Sequence, residues 1–522
     1  MLAFAFIRPS LLRRVLPIAA AMLSACVMHV PASGPSPGAS AEGPPPVRRE
    51  FRAAWVASVA NIDWPSRPGL APERQRAEMV AILDSAAALH LNAVVLQVRP
   101  AADALYPSAL EPWSEYLTGE QGKAPDPAYD PLLFAVQEAH RRGLELHAWF
   151  NPYRASHPTE KSPVVASHIA RTHPEVVKQY GKYLWMDPGE RLVQDRSMAV
   201  ILDVVRRYDV DGVHIDDYFY PYPEKDSAGA RVDFPDGPSW TRYVQGGGRL
   251  PRDDWRRENV NLFIRRMYRE VKAAKPWVKV GISPFGIWRP RNPEQIVTSF
   301  DQYADLYADA RLWMREGWAD YFSPQLYWRI AATQQSYPVL LRWWSEQNAH
   351  GRHLWPGNFT SQVMPTEATW PAAEIVAQVN ATRGQAGAGG NVHFSMKAFG
   401  MNPDSLVEKL LAGPYAEPAL VPASPWLYAG APGRPRVQAR SVDGTASIHM
   451  EPTGRDRPTW WALSWRTGST WRTEVLPGHL RDYTLRARTG EASPAVVWVR
   501  AVDRAGNEGP AASVRAAAPG AS

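Results

Sequence analysis

The chain has 522 residues, enough for two or three domains, and its 45% apolar and 21% charged residues are the composition of a globular protein. Its formal net charge of +6 is not gathered into a dense block of lysine and arginine, so nucleic-acid binding is disfavoured. The single cysteine, Cys26, excludes a disulfide within one chain. The 22 tryptophans and 20 tyrosines fit either an aromatic core or surfaces that stack on sugar rings.

The N-terminus has the pattern of an export signal. Arg8, Arg13 and Arg14 precede an apolar run at residues 15–25, which is too short to span a bilayer. The run ends in LSAC at residues 23–26, which resembles the bacterial lipobox, where the cysteine becomes the lipidated first residue of the mature protein.

This resemblance implies that residues 1–26 are a lipoprotein signal peptide and that Cys26 carries the lipid anchor. Val27, rather than aspartate, follows the cysteine, which implies sorting to the periplasmic face of the outer membrane in a Gram-negative cell. A plain signal peptide with an incidental cysteine is the alternative. Residues 27–48 are rich in Pro, Ala, Ser and Gly and are expected to form a flexible linker.

Strand-like segments alternate with amphipathic helical segments from residue 49 to about residue 417. Eight strands alternating with helices predict an α/β fold, a (β/α)8 TIM-like barrel. A doubly wound open sheet is the alternative, but no glycine-rich phosphate turn follows the first strand. The eight predicted strands are residues 51–58, 92–99, 144–151, 211–218, 277–283, 319–327, 353–359 and 392–398.

Loop lengths differ between the two ends of this predicted barrel. The helix-to-strand connections are short, whereas long strand-to-helix connections cover residues 100–130, 152–192 and 219–253. Long loops at the carboxyl ends of the strands are what an active-site face on such a barrel requires.

The composition changes near residue 418, where a Pro- and Gly-rich stretch precedes segments with a period of two. This pattern predicts a small β-sandwich at residues 432–517. The sequence AVVWVRAVDRAGNEG resembles the end of a fibronectin type III domain, where a strand leads into a D-x-x-G-N turn, here Asp503 to Asn507.

Strand parity indicates which side chains of DGVHIDDYFYP (residues 211–221) face the barrel axis. Val213 and Ile215 suit the helix-facing side, so His214 and Asp216 fall on the axial side. Asp217 shares the helix-facing parity but, as the last strand residue, can enter the loop. The same alternation places other polar side chains on the axial side, namely Gln97, Arg99, His147, Trp149, Asn151, Ser323, Gln325, Tyr327, His393, Ser395 and Lys397.

Several long motifs resemble the glycosyl-hydrolase-like family ten proteins: FRAAWVASVANIDWPS, LNAVVLQVRPAADALYPSALEPWSEYLTGEQG, GLELHAWFNPYR and DGVHIDDYFYP. The resemblance covers most of residues 49–415. It implies a (β/α)8 barrel in an exported bacterial lipoprotein, and a glycoside hydrolase that cleaves peptidoglycan glycan strands freed of their stem peptides.

DGVHIDDY also resembles the D-G-x-D-x-D-x-E strand of family-18 chitinases. Asp216 matches the middle acid, whereas Tyr218 occupies the position of the proton donor. SPQLYW resembles the sixth chitinase strand, whose tyrosine supports an acetamido group that acts as an internal nucleophile, and Gln325 and Tyr327 take that part here.

Glycoside cleavage needs a proton donor and a second group that supports the oxocarbenium-like centre. Asp216 is the first candidate for one role and Glu111, in the long second loop, for the other, with Asp217 in support. Asp63, Asp103 and Glu115 are held in reserve. The expected substrate-binding residues are Gln97, Arg99, Asn151 and Tyr153 for polar groups, Trp149 and Tyr220 for stacking on sugar faces, and His214, Tyr218, Gln325 and Tyr327 beside the acids.

No H-E-x-x-H pattern occurs in the sequence, so we expect neither a metal ion nor another cofactor. Two other functions stay open. A barrel that binds glycan strands without cutting them would explain Tyr218, and a metal-dependent polysaccharide deacetylase would use His214 and Asp216 as ligands.

Overall fold

The computed structural model describes residues 43–365, 369–442, 445–454, 457–486 and 494–515. The predicted signal peptide, Cys26 and most of the predicted linker lie outside the described residues. Among those that are described, no helix has both the length and the apolar character needed to cross a membrane.

In the part of the chain that the structure describes, twelve strands precede the C-terminal domain: β1 (Phe51–Val56), β2 (Ala93–Arg99), β3 (Glu145–Phe150), β4 (Arg154–Ser156), β5 (Val177–Tyr180), β6 (Tyr183–Met186), β7 (Gly212–Ile215), β8 (Lys279–Ile282), β9 (Tyr321–Phe322), β10 (His353–Leu354), β11 (Gly357–Asn358) and β12 (Gly390–His393).

The helices are α1 (Pro72–Ala88), α2 (Glu115–Thr118), α3 (Pro131–Arg141), α4 (Ile169–Thr172), α5 (Arg191–Arg207), α6 (Gly237–Gln245), α7 (Arg252–Ala274), α8 (Gln302–Asp305), α9 (Ala310–Arg315), α10 (Tyr337–Gln347), α11 (Ala372–Gly384), α12 (Met396–Met401) and α13 (Leu406–Ala412).

The main sheet has the order β10-β9-β8-β7-β3-β2-β1-β12-β11, and its neighbouring strands are parallel. β10 and β11 are two pieces of one predicted strand, separated by Trp355 and Pro356. β10 pairs with β9 and β11 pairs with β12, so both ends of the sheet meet in this one segment. The sheet therefore closes, and the predicted (β/α)8 barrel is confirmed.

Alternating side chains build two cores in the barrel. Val94, Leu96 and Val98 of β2 join the large apolar cluster beneath the helices. Ala93 and Val95 join a second cluster inside the barrel. This division is what strand parity predicts for a sheet that is buried on both faces.

The barrel interior is crowded by rings. Tyr321 fills the space beside Gly281, where a Cβ atom would lie 1.8 Å from the ring carbon Cζ of Tyr321. Phe51 stacks on Trp355 with ring centroids 3.7 Å apart. Glycine at position 281 is thus a packing requirement of the neighbouring strand.

The parity predicted for the last barrel strand is wrong. Val392 packs in the interior cluster, whereas His393 faces away and bonds to Thr360 Oγ1 and the Tyr415 hydroxyl, both at 2.8 Å. β12 ends at His393 and α12 begins at Met396, so the predicted strand was also too long. Alternation alone gives two possible phases, and here apolar packing selects the one with Val392 inside.

A small antiparallel sheet with the order β4-β6-β5 lies in the long loop after β3. The sequence analysis did not anticipate it, since each of its strands has only three or four residues. It matters because β4 begins with Arg154, a buried cation at the candidate site.

The C-terminal domain contains two antiparallel sheets, with the orders β13-β14-β17 and β16-β15-β18-β19. They fit the predicted small β-sandwich, while the likeness to fibronectin type III stays a prediction. Its strands are β13 (Arg436–Val442), β14 (Thr445–Glu451), β15 (Trp460–Thr467), β16 (Thr470–Pro477), β17 (Asp482–Arg486), β18 (Val496–Val502) and β19 (Ala512–Arg515).

The sandwich packs against the end of the barrel where the strands begin. Arg504 donates to Asp209 Oδ1 at 2.6 Å and to Asp211 Oδ1 at 3.0 Å, just ahead of β7. Trp460 Nε1 donates to the Gly143 carbonyl at 2.7 Å, just ahead of β3. The carboxyl ends of the strands, where active sites of such barrels lie, are left free of the sandwich.

Candidate active site

A cavity of about 280 Å³ opens where the barrel strands end. Such a site at the carboxyl ends of the strands is what the long loops predict. Seven of the side chains expected from the sequence line it: Gln97, Trp149, Asp216, Asp217, Tyr218, Gln325 and Tyr327.

Asp216 is the first residue after β7 and is held by a chain of amides. Asn151 Nδ2 donates to both carboxylate oxygens, at 3.3 and 3.1 Å. Gln97 Nε2 donates in turn to Asn151 Oδ1 at 2.7 Å. Gln97 Oε1 accepts the backbone N–H groups of Ser58 and Val59 at 3.1 and 2.9 Å. Gln97 and Asn151 therefore orient the acid and the loop after β1.

Burial and the neighbouring charge of Asp217 together raise the pKa of Asp216 to about 7, against the lowering effect of Arg154. A carboxyl group with this pKa is partly protonated at neutral pH. It can therefore give a proton to a leaving oxygen, which an ordinary aspartate cannot do at that pH.

Asp217 lies in the same cavity because β7 ends at Ile215 and no longer imposes its alternation. Burial raises the pKa of Asp217, while hydrogen bonds from Tyr222 and Gln325 lower it. The Tyr222 hydroxyl donates directly to Asp217 Oδ2. The two adjacent acids thus have different environments: Asn151 donates to Asp216, whereas the donors Tyr222 and Gln325 favour the ionised form of Asp217.

Arg154 brings a positive charge to this pair. Its guanidinium lies over the Tyr218 ring, 4.2 Å from the centroid, and lowers the pKa of both acids. Its Nε atom is buried and has no hydrogen-bond partner among the described residues. Arg154 can therefore bind an oxygen of a ligand.

Aromatic rings form much of the wall. Trp149 is a buried residue of this wall, and the indole Nε1 of Trp149 has no hydrogen-bond partner in the described part of the chain. The ring of Tyr327 packs at 4.8 Å from that of Phe359. Flat aromatic faces with a few polar groups are what a sugar-binding cavity requires.

Sequence reasoning missed several lining residues, although FNPYR and DDYFYPYP already contained Arg154 and Tyr222. Parity could have found Trp55, which lies on the axial side of β1 with Phe51 and Ala53. The missed residues are Trp55, Arg154, His157, Tyr222, Ser283, Phe359 and Phe394.

Tyr153 and Tyr220 do not lie in the cavity, contrary to expectation. Tyr153 is fully buried against Phe263 of α7, with ring centroids 5.4 Å apart. Tyr220 is buried against Phe234 and Tyr307. Both follow the ends of strands, where alternation no longer determines the direction of a side chain.

Glu111 is also placed differently from the prediction. It forms a fully buried ion pair with Arg99, whose Nε donates to Glu111 Oε2 at 2.7 Å and whose Nη2 donates to Oε1. Arg99 also donates to the Asn151 carbonyl. Glu111 lines a separate cavity beside Arg196. We therefore correct the assignment of Glu111 and Arg99: they form a structural pair behind Asn151.

Substitution Glu111→Gln is expected to lower the free energy of unfolding by about 3–5 kcal/mol, because Arg99 would lose its buried counter-ion. Urea unfolding measures this loss. The matched control is Glu120→Gln, since Glu120 is exposed and faces Lys123 at 3.9 Å, so about 1 kcal/mol or less is expected. A stable variant that loses one limb of its pH–rate profile would restore Glu111 as a catalytic group.

The three reserve acids each accept backbone N–H groups of nearby segments. Asp63 accepts the N–H groups of Ala57 at 2.8 Å and Lys397 at 2.7 Å. Asp103 accepts the N–H of Ala101 at 2.8 Å. Glu115 accepts two backbone N–H groups of the loop after β4, both at 2.8 Å. None of the three lines the cavity.

His214 lies beneath the cavity rather than in its lining. Its Nδ1 pairs with the Tyr321 hydroxyl at 3.0 Å, and its Nε2 with Trp55 Nε1 at 3.2 Å and Ser283 Oγ at 3.1 Å. Burial lowers the pKa of His214 well below its ordinary value, so the ring is neutral. Among the described residues, no group of three or more His, Cys, Asp or Glu side chains is arranged to hold a metal ion.

The profile of the family described as Glycosyl hydrolase-like 10 matches residues 50–370. The chain belongs to this family. Its relatives include "Glycosyl hydrolase YngK" of Bacillus subtilis, 42% identical over 77% of this chain and 78% of that protein. "Glycosyl hydrolase DigH" of Escherichia coli K12 is 35% identical over 63% of this chain and 77% of that protein. The predicted family is confirmed, and glycoside hydrolysis is the activity class.

A comparison of folds also returns the PgaB (BpsB) glycoside hydrolase domain from Bordetella bronchiseptica. The match covers 70% of this chain and 98% of that domain, with 13% sequence identity and a TM-score of 0.44.

Proposed function

We propose that this protein hydrolyses the glycosidic bonds of cell-wall glycan strands, with peptide-free peptidoglycan as the substrate. The observation that carries the proposal is the pair Asp216 and Asp217, which lie in one aromatic cavity and have different environments. Family membership supports the reaction type. A glycan-binding lipoprotein without catalytic activity would not need a carboxyl group that is protonated near neutral pH.

In the proposed reaction Asp216 donates its proton to the glycosidic oxygen as the bond from that oxygen to the anomeric carbon breaks. Asp217 stays ionised and stabilises the positive charge that develops on the sugar. Water supplies the hydroxyl group of the new reducing end and returns a proton to Asp216. No cofactor takes part.

An amino-sugar substrate suits the part of the cavity that is lined by Gln325 and Tyr327. Gln325 bonds to Asp217 and donates to the Ser283 carbonyl at 3.0 Å, which holds its amide in place. Tyr327 lines the same part of the cavity, and its hydroxyl forms no hydrogen bond with any described residue. We propose that Tyr327 and Asp217 hold an acetamido group whose oxygen attacks the anomeric carbon as the glycosidic bond breaks. Water then attacks the same carbon, displaces the acetamido oxygen and gives its proton to Asp216.

We further propose that the protein is exported and anchored through Cys26 at the periplasmic face of the outer membrane. The proposal rests on the lipobox-like LSAC and on the cell-wall substrate. Cys26→Ser is expected to move the protein from the membrane fraction to the soluble fraction of a Gram-negative host and to prevent labelling by a radioactive fatty acid. Unchanged labelling would refute the anchor.

The function is tested with purified protein that lacks residues 1–26, incubated with peptide-free glycan strands and with intact sacculi. We expect new reducing ends from the peptide-free strands and fewer from the sacculi, where stem peptides obstruct the cavity. Binding to both without new reducing ends would refute hydrolysis. Release of acetate that a chelator blocks would instead establish a deacetylase.

A further inference from the structure

A second, larger cleft of about 600 Å³ lies between the barrel and the sandwich. On the barrel side its lining includes Asp209 and Trp277, which come just before β7 and β8. On the other side it includes Tyr428 of the connecting segment and His479 of the sandwich. These barrel residues mark the amino ends of the strands, so the cleft lies at the opposite end of the barrel from Asp216. Its volume is in the range of small-molecule sites, roughly 300–1,000 Å³.

Exposed aromatic rings are concentrated in this cleft. Trp277 is 39% exposed and Tyr428 is 53% exposed. Of all the tryptophan, tyrosine and phenylalanine side chains in the described residues, these two alone are exposed, and both line the cleft. In a chain that buries its other described rings more deeply, two uncovered rings in one concave site indicate a ligand with flat apolar faces.

Polar groups with free hydrogen-bonding capacity surround these rings. Arg457 and His479 are exposed, and neither forms a hydrogen bond with any residue that the structure describes. Asp209 has a 61% exposed side chain, and Arg504 engages its Oδ1 atom. Donors and acceptors of both signs beside aromatic faces suit an uncharged polyhydroxylated ligand, whose hydroxyl groups both donate and accept.

The D-x-x-G-N turn of the sandwich fixes the geometry of the cleft. Asp503 accepts the N–H of Asn507 at 2.8 Å, and Asn507 Nδ2 donates to the Tyr428 carbonyl at 2.8 Å. Arg504 of the same turn bonds to the barrel at Asp209 and Asp211. One turn thus joins the segment that carries Tyr428 to the barrel edge at Asp209 and Asp211, so the cleft is formed before any ligand binds.

We propose that this cleft is a second, non-catalytic binding site for an amino-sugar glycan, which stacks on Trp277 and Tyr428. The ligand class rests on the proposed function, since the enzyme would meet the same glycan at both ends of its barrel. The cleft would hold a neighbouring glycan strand and so raise the local concentration of substrate at the catalytic cavity. Residues Arg457 and His479 contact the hydroxyl and acetamido groups.

The test is calorimetric titration of the Asp216→Asn protein, which cannot turn over its ligand, with the tetramer of N-acetylglucosamine. We expect two binding events in this background. Adding Trp277→Ala and Tyr428→Ala should abolish one event or weaken it at least tenfold, because stacking is lost while the fold is not. Trp471→Ala, which removes a half-buried sandwich tryptophan outside the cleft, is the matched control and should leave both events unchanged.

In the active background, the double substitution should slow the cleavage of long strands and leave the rate on short oligosaccharides unchanged. Two binding events that persist in the double variant would overturn the proposal. So would a single event that the double substitution does not change, or saturable binding of a synthetic stem peptide without binding of the sugar. If the wild-type protein makes no reducing ends but the double substitution still removes an event, the second site stands and the proposed hydrolysis fails.

Discussion

Substitution Asp216→Asn is expected to lower kcat on glycan strands by about 10²–10⁴-fold, the range that general acid catalysis supplies. Asparagine keeps the shape of the side chain and can still pair with Asn151, but it cannot deliver a proton to the glycosidic oxygen. KM should change little, because the aromatic walls that bind the sugars stay in place. Initial rates of reducing-end formation measure the effect.

The leaving group provides a sharper test of this role. A dinitrophenyl glycoside of N-acetylglucosamine needs little protonation of its leaving oxygen, so Asp216→Asn should lose far less activity on it than on glycan strands. Asp84→Asn, which changes an exposed acid of α1, is the matched control and should leave both rates unchanged. Equal losses on both substrates would remove Asp216 from the role of proton donor.

Substitution Asp217→Asn is expected to have two effects. It removes the negative charge opposite the developing cation, which should lower kcat by about 10²-fold or more. It also removes the neighbouring charge that raises the pKa of Asp216. Since the wild-type rate requires protonated Asp216, it should fall as pH rises through about 7, and in the variant this fall should begin at lower pH. The pH dependence of kcat/KM measures the shift.

Tyr222→Phe tests the same pair of acids through Asp217. It removes the hydroxyl that favours ionised Asp217, so the pKa of Asp217 rises and the acidic limb of the profile moves to higher pH, with a smaller loss of kcat. An Asp217→Asn profile whose alkaline limb stays at the wild-type pH would contradict the coupling of the two acids.

The barrel and its acid at position 216 could be predicted because both depend on strand periodicity. Alternation in β2, β3 and β7 separates helix-facing from axial residues, and Gln97, Trp149 and Asp216 follow from it. The family resemblance pointed to the same strands. The predicted barrel and the predicted position of Asp216 therefore agree with the structure.

The rest depends on contacts between distant segments, which alternation does not determine. Glu111 lies in a long loop, and only the folded chain shows that it forms a buried ion pair with Arg99. Arg154 reaches the acids because a small sheet in the loop after β3 presents it there. Tyr153 and Tyr220 come after the ends of strands, where strand alternation no longer determines the direction of a side chain.

Mass spectrometry of the fragments that the wild-type protein releases from peptide-free glycan strands tests the central claim most directly. Hydrolysis by the Asp216–Asp217 pair predicts fragments that each carry one added water at a free reducing end, formed by the wild-type protein and not by Asp216→Asn. Fragments with anhydro ends, or the same hydrated fragments from the Asp216→Asn protein, would contradict it.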